Sequence, residues 1–140
     1  MTVRVAINGF GRVGRVFFRI AQERGMEVVA VNDVTDVATL AHLLTYDSTF
    51  GRLRGAVDHG DTWISVDGHR TAALSERDPR RLPWNNLGVD IVIESTGHFR
   101  ARDDAALHLE AGARKVLISA PGKGADATIE IGRASCRERV

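Results

Sequence analysis

The chain has 140 residues, of which 44% are hydrophobic and 26% are charged, as in a soluble globular protein with one domain. The formal net charge is +1, and three arginines and one glutamate in the last ten residues contribute +2 of it. No basic face that would favour a nucleic-acid partner is therefore expected. No apolar run approaches the roughly 18 residues of a membrane span. The one cysteine, Cys136, excludes an internal disulfide framework and favours a reducing, cytoplasmic setting.

The first part of the chain predicts alternating strands and helices. A β-branched strand is predicted at 3–7 ("VRVAI"), and "MEVVAVND" at 26–33 predicts a second strand that is buried on both faces. The helix between them is expected to end near Gly25. Its apolar positions recur at helical spacing: Val13, Val16, Phe17, Ile20 and Ala21. Asp36 is placed to cap a second helix that carries Leu40, Leu43 and Leu44.

The second part adds an antiparallel excursion to this pattern. Asp67 and Gly68 lie between two strand-like runs, which predicts a hairpin within an edge segment at 56–75. Further buried strands are predicted at 89–96 and 115–121, with a helix at 103–113 between them. The expected fold class is therefore α/β, a doubly wound parallel sheet with an antiparallel excursion.

A glycine-rich segment follows the first strand and opens the first helix. This segment, "GFGRVG" at 9–14, is called the glycine loop below and fits the pattern G-x-G-x-x-G. In that pattern Gly9 permits a tight turn, Gly11 lets the backbone approach a pyrophosphate, and Gly14 lets the helix pack closely on the strand. The alternative is a purely structural turn.

Two neighbouring features support a dinucleotide. The free N–H groups of the first helical turn, at Arg12 and Val13, would face the phosphates with the helix dipole behind them. Asp33 ends the second strand, where an acid accepts the ribose hydroxyls of NAD and would repel the 2′-phosphate of NADP. The alternative for Asp33 is a cap of the next turn. Asn32 beside it suits a turn in either case.

Polar residues follow the later strands as well. Ser95, Thr96 and Gly97 come at the carboxyl end of one strand, and "SAPGKG" at 119–124 comes at the end of the next. Open α/β sheets bind ligands in the crevice outside these ends. For Lys123 an ordinary turn remains an equal alternative. The five histidines lack the spacing of metal ligands, so no metal site is expected.

Six segments in this order resemble the amino-terminal domain of phosphorylating glyceraldehyde-3-phosphate dehydrogenases of the bacterial type. They are "INGFGRVGR", "VVAVNDVTD", "LAHLLTYDSTFG", "ERDPRRLPW", "VDIVIESTGHF" and "KVLISAPGKGADATI". The resemblance runs from residue 3 to about residue 129. It implies an incomplete NAD-binding Rossmann domain at 1–130, truncated before the catalytic domain.

Roles carried over from this family, together with the patterns above, define a predicted NAD-binding set. Arg77 is expected against the adenine, Phe99 in the cofactor cleft, and Ser119 with Ala120 on the nicotinamide side. The full set comprises Asn8, Gly9, Phe10, Gly11, Arg12, Val13, Gly14, Asn32, Asp33, Arg77, Ser95, Thr96, Gly97, Phe99, Ser119 and Ala120.

The family's chemistry requires a cysteine thiolate that attacks the aldehyde of glyceraldehyde 3-phosphate. Hydride then passes to NAD⁺, and inorganic phosphate cleaves the thioester. That nucleophile lies in a Ser-Cys-Thr-Thr-Asn stretch, whereas Cys136 comes too early and is followed by Arg137 and Glu138. We therefore predict that the chain carries no catalytic residue and is inactive on its own.

The last ten residues depart from the resemblance. Residues 131–140, "IGRASCRERV", carry a charge density that does not suit a buried strand. They resemble the translation of a sequencing-library adapter, and we predict that they are not native. The alternative is a genuinely divergent native tail.

Two alternatives to this interpretation remain open. Erythrose-4-phosphate dehydrogenase shares the domain and the mechanism, and a stand-alone nucleotide-binding module would need only the cofactor site. The resemblance implies that the parent protein is a cytoplasmic homotetramer in glycolysis with a small-molecule substrate. Neither a nucleic acid nor a membrane is expected as a partner.

Overall fold

The computed structural model describes residues 2–47, 51–53, 55–96 and 106–119. Its strands are β1 Arg4–Asn8, β2 Glu27–Asn32, β3 Tyr46–Asp47, β4 Gly51–Arg52, β5 Val57–His59, β6 Trp63–Val66, β7 His69–Leu74, β8 Ile91–Glu94 and β9 Lys115–Ile118. Its α-helices are α1 Arg12–Glu23, α2 Val37–Thr45, α3 Trp84–Leu87 and α4 Leu107–Glu110, and a 3-10 turn spans Pro79–Arg81. In these ranges no helix is long and apolar enough to cross a membrane.

Seven of these strands form one sheet in the order β5-β6-β7-β2-β1-β8-β9. β7, β2, β1, β8 and β9 run parallel, whereas β5 and β6 are antiparallel to their neighbours. From β1 the chain first adds β2 on one side of β1, and it later adds β8 on the other side. The predicted doubly wound α/β fold with an antiparallel excursion is therefore confirmed.

The hairpin at the excursion forms where the sequence predicts it. Asp67 and Gly68 have φ values of +52° and +85°, the left-handed pair that a tight two-residue hairpin turn requires. Val66 and His69 pair directly across this turn. The turn thereby fixes the register of β6 against β7.

Apolar side chains pack on both faces of the sheet. Val5 and Ile7 belong to a cluster that includes Phe18 of α1 and Leu40 of α2. The alternate position, Ala6, belongs to a second cluster on the other face. The members of that second cluster include Val29, Val92, Leu82, Trp84 and Val89. A strand that is covered on both faces reads as a continuous apolar run, as β1 and β2 do.

The buried face of α1 differs from the predicted face. Gly14, Phe18 and Ala21 are buried, whereas Val13 and Ile20 remain 54% and 45% exposed. Because Gly14 has no side chain, α1 approaches the sheet most closely there. Phe18 and Ala21, one and two turns further along the helix, therefore face the core. The apolar residues on the flank of α1 are therefore only partly covered or exposed.

The prediction of a buried strand at 115–121 is wrong for the part that the structure describes. Side chains of β9 are exposed or half-buried, and Leu117 is 45% exposed. Within the described ranges β9 pairs only with β8 and forms the end of the sheet. One edge of this strand is thus without a sheet neighbour.

Two glycines let α1 begin directly beside β1. Gly9 has a φ of +95°, a conformation that residues with a Cβ adopt at a cost. A Cβ at Gly14 would overlap the carbonyl oxygen of Gly9 and would lie 3.0 Å from Ile7 Cγ2. Backbone therefore touches backbone at the junction of β1 and α1, as the glycine pattern predicts.

A series of buried polar side chains, called the polar chain below, joins the carboxyl ends of three strands. Trp84 Nε1 donates to His108 Nδ1 at 3.0 Å, and His108 Nε2 lies 2.8 Å from Glu94 Oε1. Asn8 Nδ2 donates to the same Glu94 oxygen at 2.6 Å, and Asn32 Nδ2 donates to Asn8 Oδ1 at 2.8 Å. All five side chains are buried. β1, β2 and β8 are therefore tied together where they end.

Hydrogen bonds within the polar chain and from Thr96 favour the charged form of Glu94. Burial opposes ionisation and is the largest single influence on its pKa. The hydrogen bonds from His108, Thr96 and Asn8 together outweigh burial, so the pKa of Glu94 lies below its ordinary value. Both of its oxygens accept hydrogen bonds, since Oε2 accepts from the Thr96 amide and hydroxyl at 2.9 and 2.7 Å.

Gly14→Ala is expected to lower the free energy of unfolding by about 3 kcal/mol, because the new methyl group collides with rigid backbone. Gly11→Ala is the matched control: no atom lies within 4 Å of its new Cβ, so the cost is below about 1 kcal/mol. Urea unfolding measures both. Equal losses for the two variants would contradict the packing described here.

Glu94→Gln is expected to change how stability depends on pH. A carboxyl whose pKa falls on folding stabilises the folded state above its ordinary pKa, and this contribution is lost as the pH falls through the folded-state pKa. The difference in unfolding free energy between the unmodified chain and the variant should therefore be largest at neutral pH. It should shrink below about pH 4.5. The pKa values of Asp36 and Asp78 are also lowered. Both residues are present in the two proteins, so their contributions to the difference in unfolding free energy cancel. A difference that stays constant down to pH 3 in urea titrations would contradict the ionised state of Glu94.

Candidate cofactor site

A cleft of about 460 Å³ lies at the carboxyl ends of β1, β2, β7 and β8. This is the place where the chain switches from one side of β1 to the other, and open α/β sheets bind ligands at that switch point. The lining residues are Asn8, Gly9, Gly11, Asn32, Asp33, Val34, Glu76, Arg77, Ser95 and Thr96.

The start of α1 opens into solvent beside this cleft. The first amide that donates within the helix turn is that of Arg15, to the Gly11 carbonyl at 2.9 Å. The preceding N–H groups, at Arg12, Val13 and Gly14, have no acceptor within the helix and carry the positive end of its dipole. Gly11 has no neighbouring atom within 4 Å of a Cβ position. This space and these donors fit an anionic group such as a pyrophosphate.

Asp33 connects the second strand to the glycine loop. Its Oδ2 accepts from the Phe10 amide at 2.8 Å, and its Oδ1 accepts from the Thr35 amide at 3.0 Å. Asp33 thus holds the local turn, as one alternative from the sequence predicts, and it also lines the cleft. Its role toward a ribose stays a prediction. A carboxylate offers about four acceptor sites, so it retains sites for ligand hydroxyl groups.

Three of the predicted residues, Asn8, Asn32 and Phe10, are buried and use their side chains within the protein. The amide of Asn32 bonds the backbone N–H and carbonyl of Glu76, each at 2.8 Å, in addition to Asn8. Asn8 is buried in the polar chain. The side chain of Phe10 is buried in the core against Phe18, with 5.6 Å between the ring centroids. Asn8, Asn32 and Phe10 therefore shape the cleft rather than present free side chains to it.

The end of β8 is fastened to the glycine loop. The Ser95 amide donates to the Asn8 carbonyl at 2.8 Å, and its hydroxyl donates to the Gly9 carbonyl at 2.6 Å. Thr96 directs its amide and its hydroxyl toward Glu94. Both residues line the cleft. Their positions relative to the start of α1 are therefore set by short hydrogen bonds.

The remaining predicted residues fall into three groups. Arg77 is exposed and lines the cleft on the side of β7. Ser119 lies at the end of β9, where its amide donates to the Glu94 carbonyl at 2.9 Å, and it is outside the lining set given above. Gly97, Phe99 and Ala120 lie outside the described residues, as do Lys123 and Cys136.

Two lining residues were missed by the sequence reasoning. Val34 follows Asp33 and is 57% exposed, and Glu76 precedes Arg77 after β7. Their position directly after predicted strands was the available signal, since such residues lie on the ligand side of a parallel sheet. An exposed apolar Val34 provides a surface for a flat ring, and the backbone of Glu76 holds the neighbouring turn.

Residues 3–102 match the family described as glyceraldehyde 3-phosphate dehydrogenase, NAD binding domain. The chain is 57% identical over 134 residues to a glyceraldehyde-3-phosphate dehydrogenase of Streptomyces coelicolor. It is 56% identical to those of Thermotoga maritima and Geobacillus stearothermophilus, over 132 and 133 residues. These matches cover 92–94% of the chain and 40% of each relative.

The chain thus spans about 40% of the length of the curated relatives it matches. The matched family, the doubly wound sheet and the cleft beside the glycine loop agree on one assignment. The chain belongs to the NAD-dependent glyceraldehyde-3-phosphate dehydrogenase family, of which it contains the NAD-binding domain.

Proposed function

We propose that this chain binds NAD in the cleft described above and is the cofactor-binding part of a phosphorylating glyceraldehyde-3-phosphate dehydrogenase. The observation that supports this most directly is the convergence of the open α1 N-terminus and Asp33 on one cleft. A helix start suits the pyrophosphate, and a carboxylate at the end of the second strand suits the adenosine ribose. The first turn of α1 contains no acidic residue, which keeps this end attractive to an anion.

Specific contacts follow from this placement. The backbone amides of Arg12 and Val13 would donate to the pyrophosphate, and Asp33 would accept from the ribose hydroxyls. Arg77 and Val34 would lie against the adenine, since both line the cleft. Ser119 would lie nearer the nicotinamide, as would Ala120. The carboxylate at Asp33 supports NAD over NADP, because a 2′-phosphate would meet a like charge.

The activity of the whole enzyme is part of this proposal. It is the oxidation of an aldehyde through a cysteine thioester, a step of glycolysis in the cytoplasm, carried out by a homotetramer. Residues 1–130 would supply the NAD-binding domain, and the last ten residues would be non-native. On this proposal the 140 residues bind the cofactor and do not catalyse, because their one cysteine, Cys136, lies in the segment that departs from the family pattern.

The two alternatives receive less support. The relatives reported above are all named glyceraldehyde-3-phosphate dehydrogenase, rather than erythrose-4-phosphate dehydrogenase. A stand-alone nucleotide-binding module would explain the cleft but not the identity of 56–57% to one enzyme.

Asp33→Ala is expected to weaken NAD binding about tenfold and to narrow the difference in affinity between NAD and NADP. Asp36→Ala is the matched control, because it removes the same charge from an exposed residue that caps α2 and lies outside the cleft. Calorimetric titration with both cofactors gives the ratio of dissociation constants. An unchanged ratio in Asp33→Ala would remove Asp33 from the ribose site.

Cys136→Ser is expected to leave both the NAD affinity and the dehydrogenase activity of the chain unchanged, because the proposal gives this thiol no role. Titration with NAD, followed by an assay of NADH formation from glyceraldehyde 3-phosphate and phosphate, tests both statements. Activity in the unmodified chain that disappears in the variant would refute the assignment of the tail.

A further inference from the structure

The polar chain links the two walls of the cleft. At one end it reaches Thr96 on the β8 side, because Glu94 Oε2 accepts from the Thr96 amide and hydroxyl. At the other end Asn32 holds the Glu76 backbone beside Arg77 on the β7 side. Glu94 and Glu76 themselves are not hydrogen-bonded to each other, so Asn8 and Asn32 carry the connection.

The groups at the two ends of the polar chain fix the direction of every hydrogen bond within it. An indole N–H only donates, so His108 Nδ1 is the acceptor, and the proton of this neutral ring lies on Nε2, facing Glu94. At the other end the Glu76 amide only donates, so the Asn32 oxygen faces it, and Asn32 Nδ2 points to Asn8. Asn8 must then direct its own Nδ2 to Glu94.

Donors therefore converge on Glu94 from both directions. His108 Nε2 and Asn8 Nδ2 both point to Oε1, which also explains why these two nitrogens lie 3.3 Å apart without a bond between them. Thr96 supplies two donors to Oε2. An ionised carboxylate satisfies all four, whereas a neutral group such as an amide would turn a donor of its own toward at least one of them.

We propose that Glu94 is the positioning residue of the NAD site, which fixes Thr96 directly and the Glu76 and Arg77 turn through Asn8 and Asn32. This inference rests on the proposed function, because it concerns the same cleft. Glu94 is itself 2% exposed and is not among the lining residues, so it acts on the cofactor through its neighbours.

The consequence for the cofactor is that both sides of its cleft are held through one carboxylate. Ser95, next to Thr96, is hydrogen-bonded to the glycine loop, which faces the pyrophosphate. Arg77 follows Glu76, whose backbone is held on both its N–H and its carbonyl. A change at Glu94 therefore reaches the phosphate side and the adenine side without any contact to NAD.

The test compares Glu94→Gln with Thr71→Val. A glutamine oxygen can still accept from Asn8 and His108, but its NH₂ group then faces the Thr96 amide, which loses its acceptor. Thr71→Val removes another buried hydrogen bond, from Thr71 Oγ1 to the Val28 carbonyl at 2.9 Å, away from the cleft. Both variants lose stability, so a difference between them in NAD affinity isolates positioning from general destabilisation.

Two quantities are measured on the unmodified chain and on both variants: the NAD dissociation constant and the hydrogen-exchange rates of the Thr96 and Glu76 amides. In Glu94→Gln we expect a dissociation constant raised about tenfold and faster exchange at Thr96 than in Thr71→Val. Equal NAD affinity and equal Thr96 exchange in the two variants would overturn the inference. Absence of NAD binding by the unmodified chain would instead overturn the proposed function, and the exchange rates would still decide whether Glu94 positions the cleft.

A second pair of variants decides the matter if Glu94→Gln does not fold. His108→Gln places an amide nitrogen where Nε2 lies and keeps the donor to Glu94. His108→Asn places its amide oxygen where Nδ1 lies and keeps only the acceptor for Trp84. We expect the NAD dissociation constant of His108→Gln to stay within about twofold of that of the unmodified chain. The dissociation constant of His108→Asn should be about tenfold higher. Equal affinities in these two variants would overturn the role of Glu94.

Discussion

The contact on which the rest of the structure depends is the one between the end of β1 and the first turn of α1. No side chain fits between Gly14 and the carbonyl of Gly9, so helix and strand approach to backbone distance. This approach aims the N-terminus of α1 along the carboxyl end of the sheet. The strand order sets the switch point, and this junction brings the free N–H groups of the first helical turn beside the cleft there.

A second constraint is electrostatic. Burying a carboxylate is costly unless hydrogen bonds replace water, and Glu94 is buried under the cleft with four donors from Asn8, His108 and Thr96 around it. The cost is offset only while these donors stay in place, so β1, β8 and α4 are held in one arrangement. The apolar clusters on the two faces of the sheet stabilise the layers but do not specify this arrangement. The polar chain does, because each of its hydrogen bonds has one possible direction.

The sequence allowed the local features of the site to be predicted. Gly9, Gly11 and Gly14 recur at a spacing whose physical meaning is known, and Asp33 follows a clearly apolar strand. The hairpin at Asp67 was equally local. In each case the residues that decide the conformation are neighbours in the chain, so their pattern can be read without knowing the fold.

Features that depend on distant residues could not be predicted. Asn8 is 86 residues from Glu94, its partner at 2.6 Å, and nothing in the pattern of β8 indicates that its last residue is a buried carboxylate. His108 also carries no local signal for its hydrogen bonds to Trp84 and Glu94. The choice of Phe18 over Phe17 on α1 likewise depends on how closely Gly14 lets the helix approach. Such features become visible only when strand order and helix packing are known.

The family assignment and the cleft together account for a cofactor-binding domain without requiring any catalytic group within it. Occupation of the cleft beside the glycine loop by NAD is therefore the part of this proposal to test first. The most direct measurement is an NMR titration of the ¹⁵N-labelled chain with NAD, which follows each backbone amide. If NAD binds there, we expect saturable shifts at residues 11–14, at Asp33 and at Arg77. Saturable shifts confined to other parts of the chain, or no shifts at millimolar NAD, would contradict it.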